Sequence, residues 1–125
     1  MKDAPANTAD SDDAVAADVA SAITITGDVA NVTGAADPYT SATAFSVTAS
    51  ASTGSLLFQW RRQTASGTRW TNVTDAGVFS GSNTNTLAIT GAAKADWDGY
   101  KFRVKLTSTA GAEEVISATG TLTYA

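Results

Sequence analysis

Tyr100-Lys101-Phe102-Arg103-Val104-Lys105-Leu106-Thr107 alternates without a break between large apolar residues and cations or a hydroxyl. A period of two is the signature of a half-buried β-strand, with Tyr100, Phe102, Val104 and Leu106 facing a core and Lys101, Arg103, Lys105 and Thr107 facing water. The same reading extends outward along the chain. Phe45, Val47, Ala49 and Ala51 alternate with Ser46, Thr48, Ser50 and Ser52, which gives a second strand. After a turn at Ser52-Thr53-Gly54, Leu56, Phe58 and Trp60 share a face with Arg62, while Leu57, Gln59, Arg61 and Gln63 take the other. Leu87 and Ile89 form the inner face of a further strand. After a turn near Ala110-Gly111, Ile116, Ala118, Leu122 and Tyr124 are expected inward, with Ser117, Thr119, Thr121 and Thr123 outward and a bulge at Gly120. Ser66-Gly67 turns the chain into a short segment around Trp70 to Val73, and the Gly-, Ser- and Asn-rich stretch from Asp75 to Asn85 reads as a crossing loop.

Composition agrees with an all-β chain. At 125 residues, 43% hydrophobic and 16% charged, there is room for one modest core and little for a second. No cysteine and no histidine occur, which removes disulfides, thiolate nucleophiles, the usual zinc sites and every Ser-His or Cys-His catalytic arrangement. Asp96-Trp97-Asp98-Gly99 and Glu113-Glu114 place carboxylates side by side, but no nucleophile, base and oxyanion donor accompany them. Acidic and glycine residues in a turn have sufficient backbone reasons, and the spacing lacks the six to eight oxygens of a dedicated calcium loop. The chain is therefore expected not to be an enzyme and to need no metal or cofactor. No stretch approaches the roughly 18 apolar residues of a membrane-crossing helix, and Met1-Lys2-Asp3-Ala4-Pro5-Ala6-Asn7 has no apolar signal region.

Charge is segregated. Residues 1–22 carry Lys2 against Asp3, Asp10, Asp12, Asp13 and Asp18, a net of minus four, while residues 23–125 carry seven cations and seven anions. Such an Ala- and Asp-rich segment buries too little apolar surface to fold alone, so residues 1–22 read as a flexible acidic arm and 23–125 as the folded domain. Val15, Val19 and Ile23 recur every four residues behind Ser11, yet Val15, Ala17, Val19, Ser21 and Ile23 also suit an extended strand, and periodicity does not choose. The arm suits a solubilising tail or a partner-binding segment in which Val15, Val19 and Ile23 make contact. The chain's end just past Tyr124 leads us to expect no further domain.

Four stretches carry a resemblance: Phe58-Gln59-Trp60-Arg61-Arg62; Trp70-Thr71-Asn72-Val73-Thr74-Asp75-Ala76-Gly77-Val78-Phe79-Ser80-Gly81; Thr86-Leu87-Ala88-Ile89-Thr90-Gly91; and Asp98-Gly99-Tyr100-Lys101-Phe102-Arg103-Val104. In order and spacing they resemble the bacterial and bacteriophage immunoglobulin-like domains, from about Ile23 to Ala125. The resemblance implies an immunoglobulin-like β-sandwich of about seven strands, with Val47, Trp60 and Val104 where such domains carry cysteine, tryptophan and cysteine. Valines in place of a disulfide imply folding without an oxidising compartment, as in a host cytoplasm. Phe102 stands where the tyrosine of the corner between strands E and F is expected, so that corner is expected to be held by packing.

Those domains occur on capsids, tails and cell surfaces. The resemblance implies a structural protein of the virion, a capsid decoration or head-fibre protein attached through its arm, with the major capsid protein, another virion protein or copies of itself as partner. In that framework strand C, residues 56–63, and strand F, residues 100–107, are neighbours, so Arg61, Lys101, Arg103 and Lys105 are expected on one outer face. That stripe suits a protein contact or plain solubility; an acidic chain without interleaved aromatics does not suit nucleic acid. The alternative function is adhesion to a host-surface glycan, with Trp97, expected to be exposed between two aspartates, stacking on the sugar. Trp60 is expected in the core, and Trp70 along the C′ edge.

Overall fold

The computed structural model describes residues 22–125, and these form a cysteine-free β-sandwich. Apart from Ala22, the flexible arm expected at residues 1–22 lies outside the described residues. One layer is built from two hydrogen-bonded sheets, a two-stranded one of β1 (Ile23–Gly27) and β4 (Thr48–Ala51) and a three-stranded one of β3 (Tyr39–Ser46), β7 (Phe79–Ser80) and β8 (Thr86–Ala92). β1 pairs with β4, and β3 pairs with β8, which pairs with β7. β3 and β4 are one strand in two lengths, broken at Val47, whose amide donates to the Asn85 carbonyl at 3.0 Å.

The facing sheet runs β2 (Val32–Ala35), β11 (Gly120–Tyr124), β9 (Lys101–Ser108), β5 (Leu56–Gln63), β6 (Thr71–Asn72), with β10 (Val115–Ile116) also on β9. In immunoglobulin lettering the two layers are A-B-E-D and A′-G-F-C-C′. All pairs are antiparallel except β2 with β11. The chain passes from the first sheet to the second between β1 and β2. Asp28 Oδ1 pins that crossing by accepting the Val29 and Ala118 amides at 2.8 and 2.9 Å, and Asn31 Oδ1 accepts the Thr121 amide at 2.9 Å.

The apolar faces close on a single core. Trp60, Leu87, Ile89, Phe102, Val104, Leu106 and Leu122 are fully enclosed, with Phe45 and Val47 nearly so, which fulfils the period-two reading of strands B, C, E and F. Phe102 is the hub of the aromatic contacts, 4.8 Å from Phe45 and 5.8 Å from Phe79 between ring centroids. Gly120 faces this hub. A Cβ there would lie 2.8 Å from Phe45 Cε1 and 2.7 Å from the Ala30 carbonyl oxygen, so only glycine lets β11 pass so close.

Three expectations are corrected. The Asp75–Asn85 stretch is not only a loop: Phe79 starts β7 and is buried. Two residues are too few to show a period, so burial of one aromatic by tertiary packing decided this strand. In strand G the first half is turned over. Ile116 pairs with Lys105 on the outer side, Ser117 is buried and Ala118 exposed. The reason is an irregularity at residues 117–119, where the Ser117 side chain replaces ladder geometry: its hydroxyl accepts the Val104 amide at 2.9 Å and donates to the Ala118 carbonyl at 2.9 Å. The corner between E and F, finally, is not held by packing alone. Tyr124 donates its hydroxyl to the Ala92 carbonyl at 2.6 Å, supplying from strand G the tie that Phe102 cannot make.

Candidate functional site

Alternation along β5 and β9 and their pairing place Arg61, Lys101, Arg103 and Lys105 together. Antiparallel partners share a side of the sheet, and the register opposes Arg103 to Arg61, Lys101 to Gln63 and Lys105 to Gln59. The four cations therefore form the expected stripe on the outer face, all half-buried by their neighbours. Their contacts are with neutral groups. Arg61 Nε donates to Asn72 Oδ1 at 3.1 Å, and Lys101 Nζ donates to the Ala65 carbonyl at 3.1 Å. The Arg103 guanidinium lies over the Trp70 ring at 4.1 Å, which fixes Trp70 on this face and flattens the arginine against it. Arg103 Nε is buried there without a hydrogen-bond partner.

No acidic residue occurs in β5, β6 or β9. Four of the domain's carboxylates, those of Asp28, Asp37, Asp75 and Asp98, accept hydrogen bonds elsewhere. Asp98 Oδ1 accepts the Tyr124 amide at 3.0 Å and Asp37 Oδ1 the Lys94 amide at 3.1 Å. Asp75 Oδ1 accepts both the amide and the hydroxyl of Ser82, at 2.9 and 2.7 Å, and these two bonds hold its carboxyl below the ordinary value. Glu113 and Glu114 are exposed just before β10. Among the described residues no group of three or more His, Cys, Asp or Glu could hold a metal ion.

Trp97 is not free in a turn. It ends the short helix α1 (Lys94–Trp97) and is half-buried, edge-on to Phe79 at 5.0 Å and to Tyr100 at 4.6 Å. The neighbouring strand D, unseen in the sequence, supplies the ring that covers it. Arg62 reaches both rings, its guanidinium 5.6 Å from Trp97 and 5.8 Å from Phe79. Together with Asn72, Thr74 and Val78 they line a shallow pocket of about 300 Å³. The signal for this pocket is a cation on the core side of strand C, where the alternation placed Arg62 beside Trp60.

No family model, curated protein or solved structure matches the chain. Its own residues carry the functional reading. Val15 and Val19 lie outside the described residues. Ile23 opens β1, pairs with Ala51 and packs against the core, so it belongs to the sandwich. Val47, Trp60, Phe102 and Val104 are all core residues.

Proposed function

We propose that the chain is a structural binding protein of a bacteriophage virion, a capsid decoration or head-fibre protein that attaches through residues 1–22 and projects its sandwich. The observation that carries this reading is the separation of charge: the whole net charge of minus four precedes the sandwich, while the sandwich itself is neutral and turns four cations to one face. A segment of that composition gains order by docking, and a rigid sandwich suits projection. The resemblance of the strand C, E and F stretches to phage immunoglobulin-like domains supplies the virion context, and the valine core suits synthesis in a host cytoplasm followed by assembly onto the particle. Partners on this reading are the major capsid protein or another virion protein. Mass spectrometry of purified phage particles tests it: peptides of this chain are expected in fixed proportion to the capsid protein, and their absence from intact particles would overturn the proposal.

A second reading is adhesion to a host-surface glycan. The observation favouring it is the pocket in which Trp97 and Phe79 meet Arg62, Asn72 and Thr74, apolar rings beside donors. On a glycan array this reading expects specific binding that Trp97→Ala removes.

A further inference from the structure

We propose that the pocket at Arg62 takes a carboxylate-bearing sugar, a uronic- or sialic-acid-type residue of a surface glycan, with the carboxylate on the Arg62 guanidinium. The inference rests on the second reading above, adhesion to a glycan, and names the class of sugar. Alternation along β5 sends Arg62 to the core side of the sheet, where its cross-strand partners are Phe102 and Thr71. There it is half-buried beside the apolar core. Its guanidinium lies 5.6 Å from the centre of the Trp97 ring and 5.8 Å from that of Phe79. Both rings attract the charge, yet neither accepts a conventional hydrogen bond, so the N–H fork is left over. Arg61 and Lys101 donate to Asn72 and Ala65, whereas among the described residues Arg62 has no hydrogen-bond or ion-pair partner.

No carboxylate lines the pocket with it. Asp75 lies between the lining residues Thr74 and Ala76, but its Oδ1 accepts the amide and hydroxyl of Ser82. Asp98 follows Trp97 in the chain, and its Oδ1 accepts the Tyr124 amide. The partly desolvated cation therefore faces the pocket without a counter-ion among the described residues. An arriving carboxylate can accept two parallel N–H bonds in the paired geometry that guanidinium favours. Apolar walls strengthen the contact, because partial burial weakens the screening that water provides.

The rest of the lining suits a sugar ring rather than a bare acid. At about 300 Å³ the cavity is at the lower end of the range for small-molecule sites, with room for about one ring. Val78, Phe79 and Trp97 offer apolar walls to the C–H face of a sugar. The Thr74 hydroxyl, which makes no hydrogen bond among the described residues, is left to pair with a sugar hydroxyl. The mouth is open: Thr74, Ala76 and Gly77 are exposed, and Gly77, at φ +63°, has nothing within 4 Å of where a Cβ would stand. Its rim is also preformed. The Ala76 amide donates to the Thr74 carbonyl at 2.8 Å, the Phe79 amide to the Ala76 carbonyl at 3.2 Å, and the Thr90 amide to the Val78 carbonyl at 2.8 Å. A rim tied in this way loses little freedom when a ligand arrives.

A glycan array probed with the full chain tests this. Glycans carrying glucuronic, galacturonic or sialic acid are expected to bind. Their carboxyl methyl esters and neutral counterparts are expected to bind at least about tenfold more weakly, as loss of charge-assisted hydrogen bonds implies. Arg62→Gln is expected to weaken binding to the same extent, whereas Arg61→Gln with Lys105→Gln, on the outer face, is expected to leave it unchanged. The esters probe the contact with the protein unaltered, so the test decides even if Arg62→Gln does not fold. Neutral glycans bound as tightly as acidic ones, and lost on Trp97→Ala, would overturn the acidic sugar while leaving the glycan reading in place. Acidic glycans retained by folded Arg62→Gln, or lost with the outer-face variant, would overturn it by placing the contact on the basic stripe. Free acetate that displaces a bound glycan as well as methyl glucuronide does would overturn the sugar. An array on which nothing binds overturns both this inference and the glycan reading.

Discussion

Trp60 shows how a single residue joins the core to the 81–85 segment. Its ring is fully enclosed, its indole N–H donates to the Thr84 carbonyl at 2.8 Å, and its backbone amide donates to the Ser82 carbonyl at 2.9 Å. Trp60→Ala removes the ring and leaves a cavity in the centre of the core, at a cost of about 3–5 kcal/mol, a large part of a small domain's stability. The variant is expected to be unfolded or to melt far below wild type in a thermal scan; a midpoint within a few degrees would contradict its central place. Tyr124 acts by a different route. Burial first, and then the carboxylates of Asp37 and Asp98, raise its pKa above the ordinary 10.0, which keeps the phenol protonated and able to donate to Ala92. A raised folded-state value means a contribution fully present below pH 10.0 and lost as pH rises through the higher folded value. Tyr124→Phe is expected to lose about 1 kcal/mol at neutral pH. Its melting temperature should also fall less steeply than that of wild type in the alkaline limb of a pH series.

At the scale of elements, the outer edge of β5 is closed by two short pieces rather than one long strand. β6 pairs with Arg61 and Arg62, and beyond it the 81–85 segment takes over, with Ser82 accepting the Trp60 amide and Asn83 Nδ2 donating to the Phe58 carbonyl at 3.1 Å. This cover hides an edge that would otherwise pair with another chain. Asp75 anchors it through its two bonds to Ser82. Asp75→Ala is expected to speed hydrogen exchange at the Trp60 amide while leaving the centre of β9 protected. Because the folded-state pKa of Asp75 is lowered, its hold is present above the ordinary 3.8 and is lost as pH falls through the lower value, so wild type should approach the variant in acid. The sequence made strands B, C, E and F legible because each alternates over several residues with one face in the core. Strand D and the first half of G were not legible. Phe79 sits in a two-residue strand among glycines and serines, and Ser117 is buried because its hydroxyl satisfies the Val104 amide at a bulge, neither of which leaves a period. The basic face was legible from alternation plus the adjacency of C and F. What the sequence did not show was tertiary: Trp70 under Arg103, and Phe79 beside Trp97 and Arg62.

For the whole molecule, the proposed function assigns stability to the sandwich and attachment to the segment before it. Among the described residues, every member of the core cluster lies at or after Val29, and the partly buried residues packed on it begin at Ile23. Residues 1–22 hold the net charge and few large apolar side chains. On the proposed function, ordering such a segment on a partner would cost conformational entropy, so each copy would bind modestly and repetition on a particle would supply the strength through avidity. Deleting residues 1–20 stops short of Ala22 and its bonds to Ser52. The truncated chain is therefore expected to keep the wild-type melting temperature within a few degrees while losing binding to purified phage particles in a co-sedimentation assay. Binding should also weaken as salt rises, since screening over a Debye length of about 8–10 Å removes attraction between exposed charges. If the truncated sandwich sediments with particles as well as the full chain does, attachment belongs to the body. The Arg61, Lys101, Arg103 and Lys105 face would then be the surface on the particle, and substituting those cations in the truncated chain should abolish the remaining binding.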